Sequence, residues 1–224
     1  MSFFDDASLA FLPSGAAGKD GKAYSIKPTD GTGDFTFSRG SNLAATRVGA
    51  DGLIEKGREN LLTYSNEFDT NWVNSNVTTP ITTGHAGYDG STDAWLLNST
   101  TTSSSSILRS INLSGVETIS FFAKEGTTNW ICVFGGVSNS TAWFNVSESA
   151  PALGTLQSEV IDASITPVTG AAGWFRCSVT YNISSTGFRI YLSSGDGSFN
   201  SAVGDNIYIQ DAQLEIGLAA TDYI

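Results

Sequence analysis

Apolar and polar positions alternate with a period of two along most of the chain beyond residue 106, and no long run repeats with the 3.6-residue period of a helix. Seven segments read as strands. Residues 107–113 open the series. Residues 117–124 follow, with Ile119, Phe121 and Ala123 on one face. Residues 129–134 are apolar on both faces and so belong in the middle of a sheet. Residues 142–146 come next, then 174–181, where Phe175, Cys177, Val179 and Tyr181 share the inward face, and finally 187–192 and 206–209. Beyond Ile207 and Ile209 the next apolar set is Ala212, Leu214 and Ile216, so the parity flips. One residue too many in a strand is the mark of a β-bulge, here near Gln210–Asp211. Short strands divided by turns about every ten residues predict an all-β fold, a jelly-roll β-sandwich of two sheets over residues 61–224.

The first sixty residues read differently. Residues 3–12 form an apolar segment with an acidic pair, consistent with one or two helical turns or with a strand added to a neighbour. The Gly- and Ala-rich stretch 13–18 breaks any regular element. Residues 24–28 are short and extended, 34–39 alternate as a strand does, and 46–55 read as a hairpin turning at Asp51–Gly52. None of these pieces is long enough to bury a core, so residues 1–60 are expected to be an extended N-terminal arm that orders against other chains.

Charge sharpens the division. Up to Asn60, seven Lys/Arg stand against eight Asp/Glu, a net of −1; from Leu61 onward, Arg109, Lys124, Arg176 and Arg189 stand against fourteen, a net of −10. A body so poor in cations is not built to neutralise phosphates, which argues against nucleic acid and against an anionic membrane surface. No stretch approaches the roughly 18 apolar residues of a membrane span, so membrane insertion is not expected. The opening residues lack the basic and apolar regions of a secretory signal, which points to synthesis in a cytoplasm. Cys132 and Cys177 sit in strand-like runs and are expected as buried free thiols.

Catalytic chemistry finds little support. The single histidine, His85, lies in a loop, and no serine is framed as a nucleophile elbow. Glu125, Glu148, Glu159 and Asp162 are available for paired-carboxylate work, but nothing in the sequence pairs them. The expectation is a protein that is not an enzyme. Two binding chemistries remain. Asp211, on the bulge among apolar residues, needs a partner. It can hold a structural Ca²⁺ with Glu67 or Asp69, or serve as a hydrogen-bonded turn residue. Sugar faces stack on exposed rings, and Trp72 and Tyr88 lie in polar stretches where exposure is expected, with packing as the competing role. Trp130, Trp143 and Trp174 begin strands and read as core.

Several stretches resemble known families. Residues 59–68 through Trp72 and the ending 209–224, together with 120–124 and 173–176, resemble a module common in tailed-bacteriophage structural proteins. The arm, through residues 24–28, 33–39, 45–48 and 51–55, is similar to the N-terminal region of phage fibre-type proteins. The body also resembles carbohydrate-binding modules of the jelly-roll type, in which an Asp of the last strand helps hold a structural calcium. Asp211 matches that position, although Gln210 precedes it where a second Asp would stand. The resemblance implies a virion structural protein, a head or tail fibre or decoration component. It would be anchored to other virion proteins by residues 1–60, would form a homotrimer, and would display a body that meets a cell-surface glycan. A stand-alone glycan-binding module is the competing reading, and a polysaccharide depolymerase ranks last.

Overall fold

The computed structural model describes residues 59–76 and 84–224 in full, together with six short strands nearer the N-terminus. The chain divides into two compact units, Met1–Gly57 and Arg58–Ile224. In the first, β1 (Ala10–Phe11) pairs with β3 (Ser25–Lys27), β2 (Lys22–Ala23) with β4 (Phe35–Thr36), and β5 (Thr46–Val48) with β6 (Ile54–Lys56), all antiparallel. The β5–β6 pair is the strand pairing expected over 46–55. Its turn, and the apolar residues 3–9, lie outside the described residues.

The second unit is all-β, as expected. Its strands are β7 (Trp72–Ser75), β8 (Trp95–Asn98), β9 (Ser105–Glu125), β10 (Trp130–Phe134), β11 (Thr141–Asn145), β12 (Ala152–Leu156), β13 (Val160–Pro167), β14 (Trp174–Ser193) and β15 (Asn206–Ile216). They form one hydrogen-bonded network folded over on itself. The two long strands make the fold. β9 and β14 pair antiparallel from Trp174–Lys124 to Leu192–Ser105. The 174–183 half of β14 and the 115–125 half of β9 carry β13 on one side, with β15 and then β8 on the other. The remaining halves carry β10, β11 and β12 on one side and β7 on the other. These are the two layers of the jelly-roll sandwich, and both long strands run through each.

The sequence reads each long strand as two because its middle is polar and glycine-bearing. Those residues are where the strands bend from one layer to the other. Gly115 takes a φ of +87°, a left-handed conformation costly for any other residue. Ser185 pairs with Leu113 but Gly187 with Ser110, so β9 spends one residue more than β14 at the bend. The buried face of β14 accordingly passes from Phe175, Cys177, Val179, Tyr181 and Ile183 to Phe188, Ile190 and Leu192. Across the core Phe121 meets Phe144 edge-on at 6.4 Å between centroids, and the Tyr181 hydroxyl donates to the Val133 carbonyl at 3.1 Å. Cys132 and Cys177 are buried free thiols.

The bulge expected in the last strand is present. Gln210 pairs with Phe122 and Gln213 with Ser120, three steps on β15 against two on β9, and Asp211 sits at φ +51°. The bend also makes a steric prediction. A Cβ on Gly187 would lie 2.5 Å from the Arg109 carbonyl oxygen, a backbone atom that cannot step aside. Gly187→Ala should therefore lose about 1–3 kcal/mol of stability in a denaturant titration, as overpacked sites do; an unchanged midpoint would contradict the bend as described.

Candidate functional site

In the first layer, register lines up one row of outward positions. Thr166 of β13 pairs with Arg176 of β14, Arg176 with Phe122 of β9, and Phe122 with Gln210 of β15. Their chain neighbours Phe121, Phe175, Cys177 and Ile209 fill the core, so alternation turns this row to the other side. Phe122 is nonetheless largely covered, 7 % exposed. Tyr88 lies flat on it, with centroids 3.6 Å apart and planes 13° from parallel, and the Arg176 guanidinium stands 5.5 Å from the Phe122 centroid. Phe122 and Trp174 thus form a small apolar cluster outside the main core, against which Tyr88, Val168 and Tyr223 pack.

Two segments are tied down over this row. Gln210 holds the 84–93 loop. Its Oε1 accepts the Tyr88 backbone N–H at 3.0 Å, and its Nε2 lies 2.8 Å from Asp93 Oδ1 and 3.2 Å from Asp89 Oδ1 and Ser91 Oγ. A Cβ on Gly87 would stand 2.5 Å from Gln210 Oε1, so a side chain there would push the Gln210 amide out of this network. Gln213 and Glu215, buried on the outer side of β15, hold the residues that follow it. Thr221 donates its N–H and its hydroxyl to the Glu215 carboxylate, and the Ile224 N–H donates to Gln213 Oε1 at 2.9 Å. Asp222 and Tyr223 are thereby placed beside Arg176. The result is an open cleft of about 450 Å³, lined by Tyr88, Phe122, Arg176, Asp222 and Tyr223, with Thr166, Pro167 and Val168 as its far wall.

At the back of the cleft the Tyr88 hydroxyl donates to Asp211 Oδ2 at 2.9 Å, and Tyr223 shares a 2.6 Å hydrogen bond with Ser65. Asp211 is only 7 % exposed. Burial lifts its carboxyl to about 6; the hydroxyls of Tyr88 and Tyr223 pull it back, while the carboxylates of Asp93 and Asp89 push it further up. Burial and the bond to Asp211 raise the Tyr88 phenol above its ordinary value. Burial lowers the Arg176 guanidinium's hold on its proton, and the charges of Glu215, Asp222 and Tyr88 restore part of it. It stays cationic, as arginine does. The cleft thus offers aromatic faces, a planar cation and a carboxylate together, a set that packs on apolar ring faces and hydrogen-bonds hydroxyls.

Of the residues singled out in the sequence, Tyr88 and Asp211 meet here. Trp72 does not, and its expected exposure is corrected. It opens β7 facing inward, 5 % exposed, with its ring 4.9 Å from Phe68 and 5.7 Å from Phe188 and its Nε1–H donating to the Tyr64 carbonyl. The polar residues before it belong to a turn, and it is Val73 that faces out, at 57 %. Glu67 and Asp69 flank the fully buried Phe68, so both point to solvent rather than to Asp211. The three carboxylates do not fit a calcium ion. Asp211 is held by tyrosine hydroxyls, the Gln210 amide already sits among the oxygens of Asp89, Ser91 and Asp93, and no cluster of three metal-binding side chains occurs among the described residues. His85 packs edge-on against Tyr208, 5.2 Å between centroids. Glu148, Glu159 and Asp162 are exposed, Glu159 just before β13 and Asp162 near its start.

No protein-family model matches the chain, and no curated protein sequence matches it. Among solved structures it is similar to a CBM35 from Paenibacillus barcinonensis, with 13% identity and a TM-score of 0.31 over 63% of this chain and 94% of that one. It is also similar to TmCBM61 in complex with β-1,4-galactotriose, with 12% identity and a TM-score of 0.32 over 70% of this chain and 97% of that one. Likeness at this level says nothing of what the present chain binds.

Phe122, Arg176, Asp222 and Tyr223 are the site residues that sequence reasoning passed over. A signal existed for two of them: once Phe121 and Phe175 are assigned inward, Phe122 and Arg176 must face out. Nothing local marks Asp222 and Tyr223, which arrive through Gln213 and Glu215. The buried carboxyl yields a pH prediction. The folded protein holds the Asp211 proton more tightly than the unfolded chain, so stability drops as pH rises from the ordinary carboxylate value to about 6. Asp211→Asn keeps an acceptor for Tyr88, suits a positive φ and has no proton to lose. Its stability relative to wild type should therefore rise by up to about 3 kcal/mol between roughly pH 4 and pH 7 in denaturant titrations. A difference that stays level with pH would contradict the assignment.

Proposed function

We propose that the 58–224 body is a glycan-binding module and that the Tyr88–Tyr223 cleft is its sugar site. The observation that carries this reading is the convergence of Tyr88, Tyr223, Arg176 and Asp222 on one open cleft of about 450 Å³. Pyranose rings present C–H faces that pack on aromatic rings and hydroxyls that pair with guanidinium and carboxylate groups. Arg176 is fixed from below by its bond to Ser120 Oγ at 3.1 Å, so little order is lost when a ligand meets it. The test is binding of the full chain to a panel of immobilised polysaccharides. Arg176→Ala and Tyr223→Ala should each weaken binding about tenfold or more, the equivalent of one lost polar contact or stacked ring, with thermal midpoints confirming the fold. Retained affinity in both variants would remove the cleft from the account.

Where the module acts is the second part of the proposal. The arm's similarity to phage fibre-type proteins and the charge break at residue 60 favour display on a virion surface. In that setting residues 1–60 contact other virion proteins, and a trimeric arrangement multiplies weak sugar contacts. In purified particles the protein should appear by mass spectrometry, and deletion of residues 1–57 should release it. A truncated protein that still copurifies with particles would overturn the anchoring role.

A further inference from the structure

The second layer has a cavity of its own. Register places Phe134 of β10 beside Arg189 of β14, Arg189 beside Leu108 of β9, and Leu108 beside Val73 of β7, all on the face away from the core. Beyond this row two glycines thin the sheet surface. Gly187 pairs with Ser110, and a Cβ on Gly136 would come 2.4 Å from the Gly187 carbonyl oxygen. The gap is a cavity of about 280 Å³ walled by Phe134, Leu108 and Arg189 and edged by the hydroxyls of Ser110 and Thr186. That is the small end of ligand pockets, suited to one ring rather than a chain.

Arg189 is the informative wall. Arg109 donates to the Asn71 carbonyl and to Thr63, and Arg176 has Glu215 and Asp222 nearby. The guanidinium of Arg189, half-buried, makes among the described residues a single hydrogen bond, a long one of 3.4 Å to Ser106 Oγ, and has no carboxylate partner. A guanidinium carries five donors in a planar fork that matches a carboxylate. Past residue 60 the chain has fourteen carboxylates and only four cations, yet none of the described carboxylates pairs with this one.

We infer that this cavity binds a carboxylate-bearing sugar, a uronate unit of an acidic polysaccharide. The uronate carboxylate pairs with the Arg189 fork, its ring packs on Phe134, and its hydroxyls meet Ser110 and Thr186. The inference shares its ligand class with the glycan-binding reading and stands on a different site, so the two can fail separately.

The test is an amide NMR titration of the full chain with gluco- and galacto-configured uronate trisaccharides and with their neutral, carboxyl-reduced counterparts. The uronates should shift the signals of Ser110, Gly136, Thr186 and Gly187 and the Arg189 side-chain N–H, and the neutral sugars should not. Arg189→Gln should weaken the effect at least about tenfold, the scale of one charged pair. Ser110→Phe, a change at an exposed position on the cavity's edge, should block it without touching Arg189. Unmoved signals, equal response to the neutral sugars, a response to sulfated but not carboxylated sugars, or full binding by both variants would each overturn the inference. Shifts confined to Tyr88, Arg176 and Tyr223 would sink this site and leave the cleft standing; shifts confined to Gly136 and Gly187 would do the reverse.

Discussion

The pairing of β9 with β14 is the constraint on which the rest of the body depends. Each strand is long enough to serve both layers, so one antiparallel ladder sets the register of everything attached to it. β13 and β15 flank one half, β10 and β7 the other. Because side chains alternate along a strand, fixing Phe121 and Phe175 in the core also fixes Phe122 and Arg176 outside it. A slip of one residue would exchange the two sets and dissolve both the core and the cleft.

The same ladder explains why each outer face carries an arginine beside a phenylalanine. β14 contributes Arg176 to one face and Arg189 to the other, with the shift of its buried face at the bend lying between them. Each arginine stands beside a phenylalanine of a neighbouring strand, Phe122 or Phe134. The surroundings differ. Arg176 is closed in by the 84–93 loop and by the residues after β15, with carboxylates close by, whereas Arg189 faces an open gap left by two glycines without a carboxylate partner. In a body whose overall charge repels anions at longer range, cations at such positions can act only through local contacts.

Much of the fold was legible in the alternation itself. The inward sets Ile119–Phe121–Ala123 and Phe175–Cys177–Val179–Tyr181 are core, and the parity break between Ile209 and Ala212 is the bulge that turns Asp211 toward Tyr88. What escaped has physical reasons. Ser114–Gly115 and the polar stretch 182–187 look like turns because a bending strand needs the same residues that a turn does. β12 and β13 are largely exposed, so neither burial face shows in their pattern. Trp72 looks exposed in the sequence because the polar turn before it runs directly into the strand it opens, and of its two readings packing is the one it fulfils. The site was half visible: Tyr88 and Asp211 stood out, but the contributions of Asp222 and Tyr223 depend on tertiary hydrogen bonds through Gln213 and Glu215.

The central claim is that the outward side of the β9–β14 ladder, closed by Tyr88 and Tyr223, is where a sugar sits. A crystal structure of the chain grown with a bound oligosaccharide tests it most directly. The account predicts a pyranose ring against the tyrosine faces with its hydroxyls on Arg176 and Asp222. A sugar bound elsewhere on the body, with the cleft filled only by solvent, would contradict it.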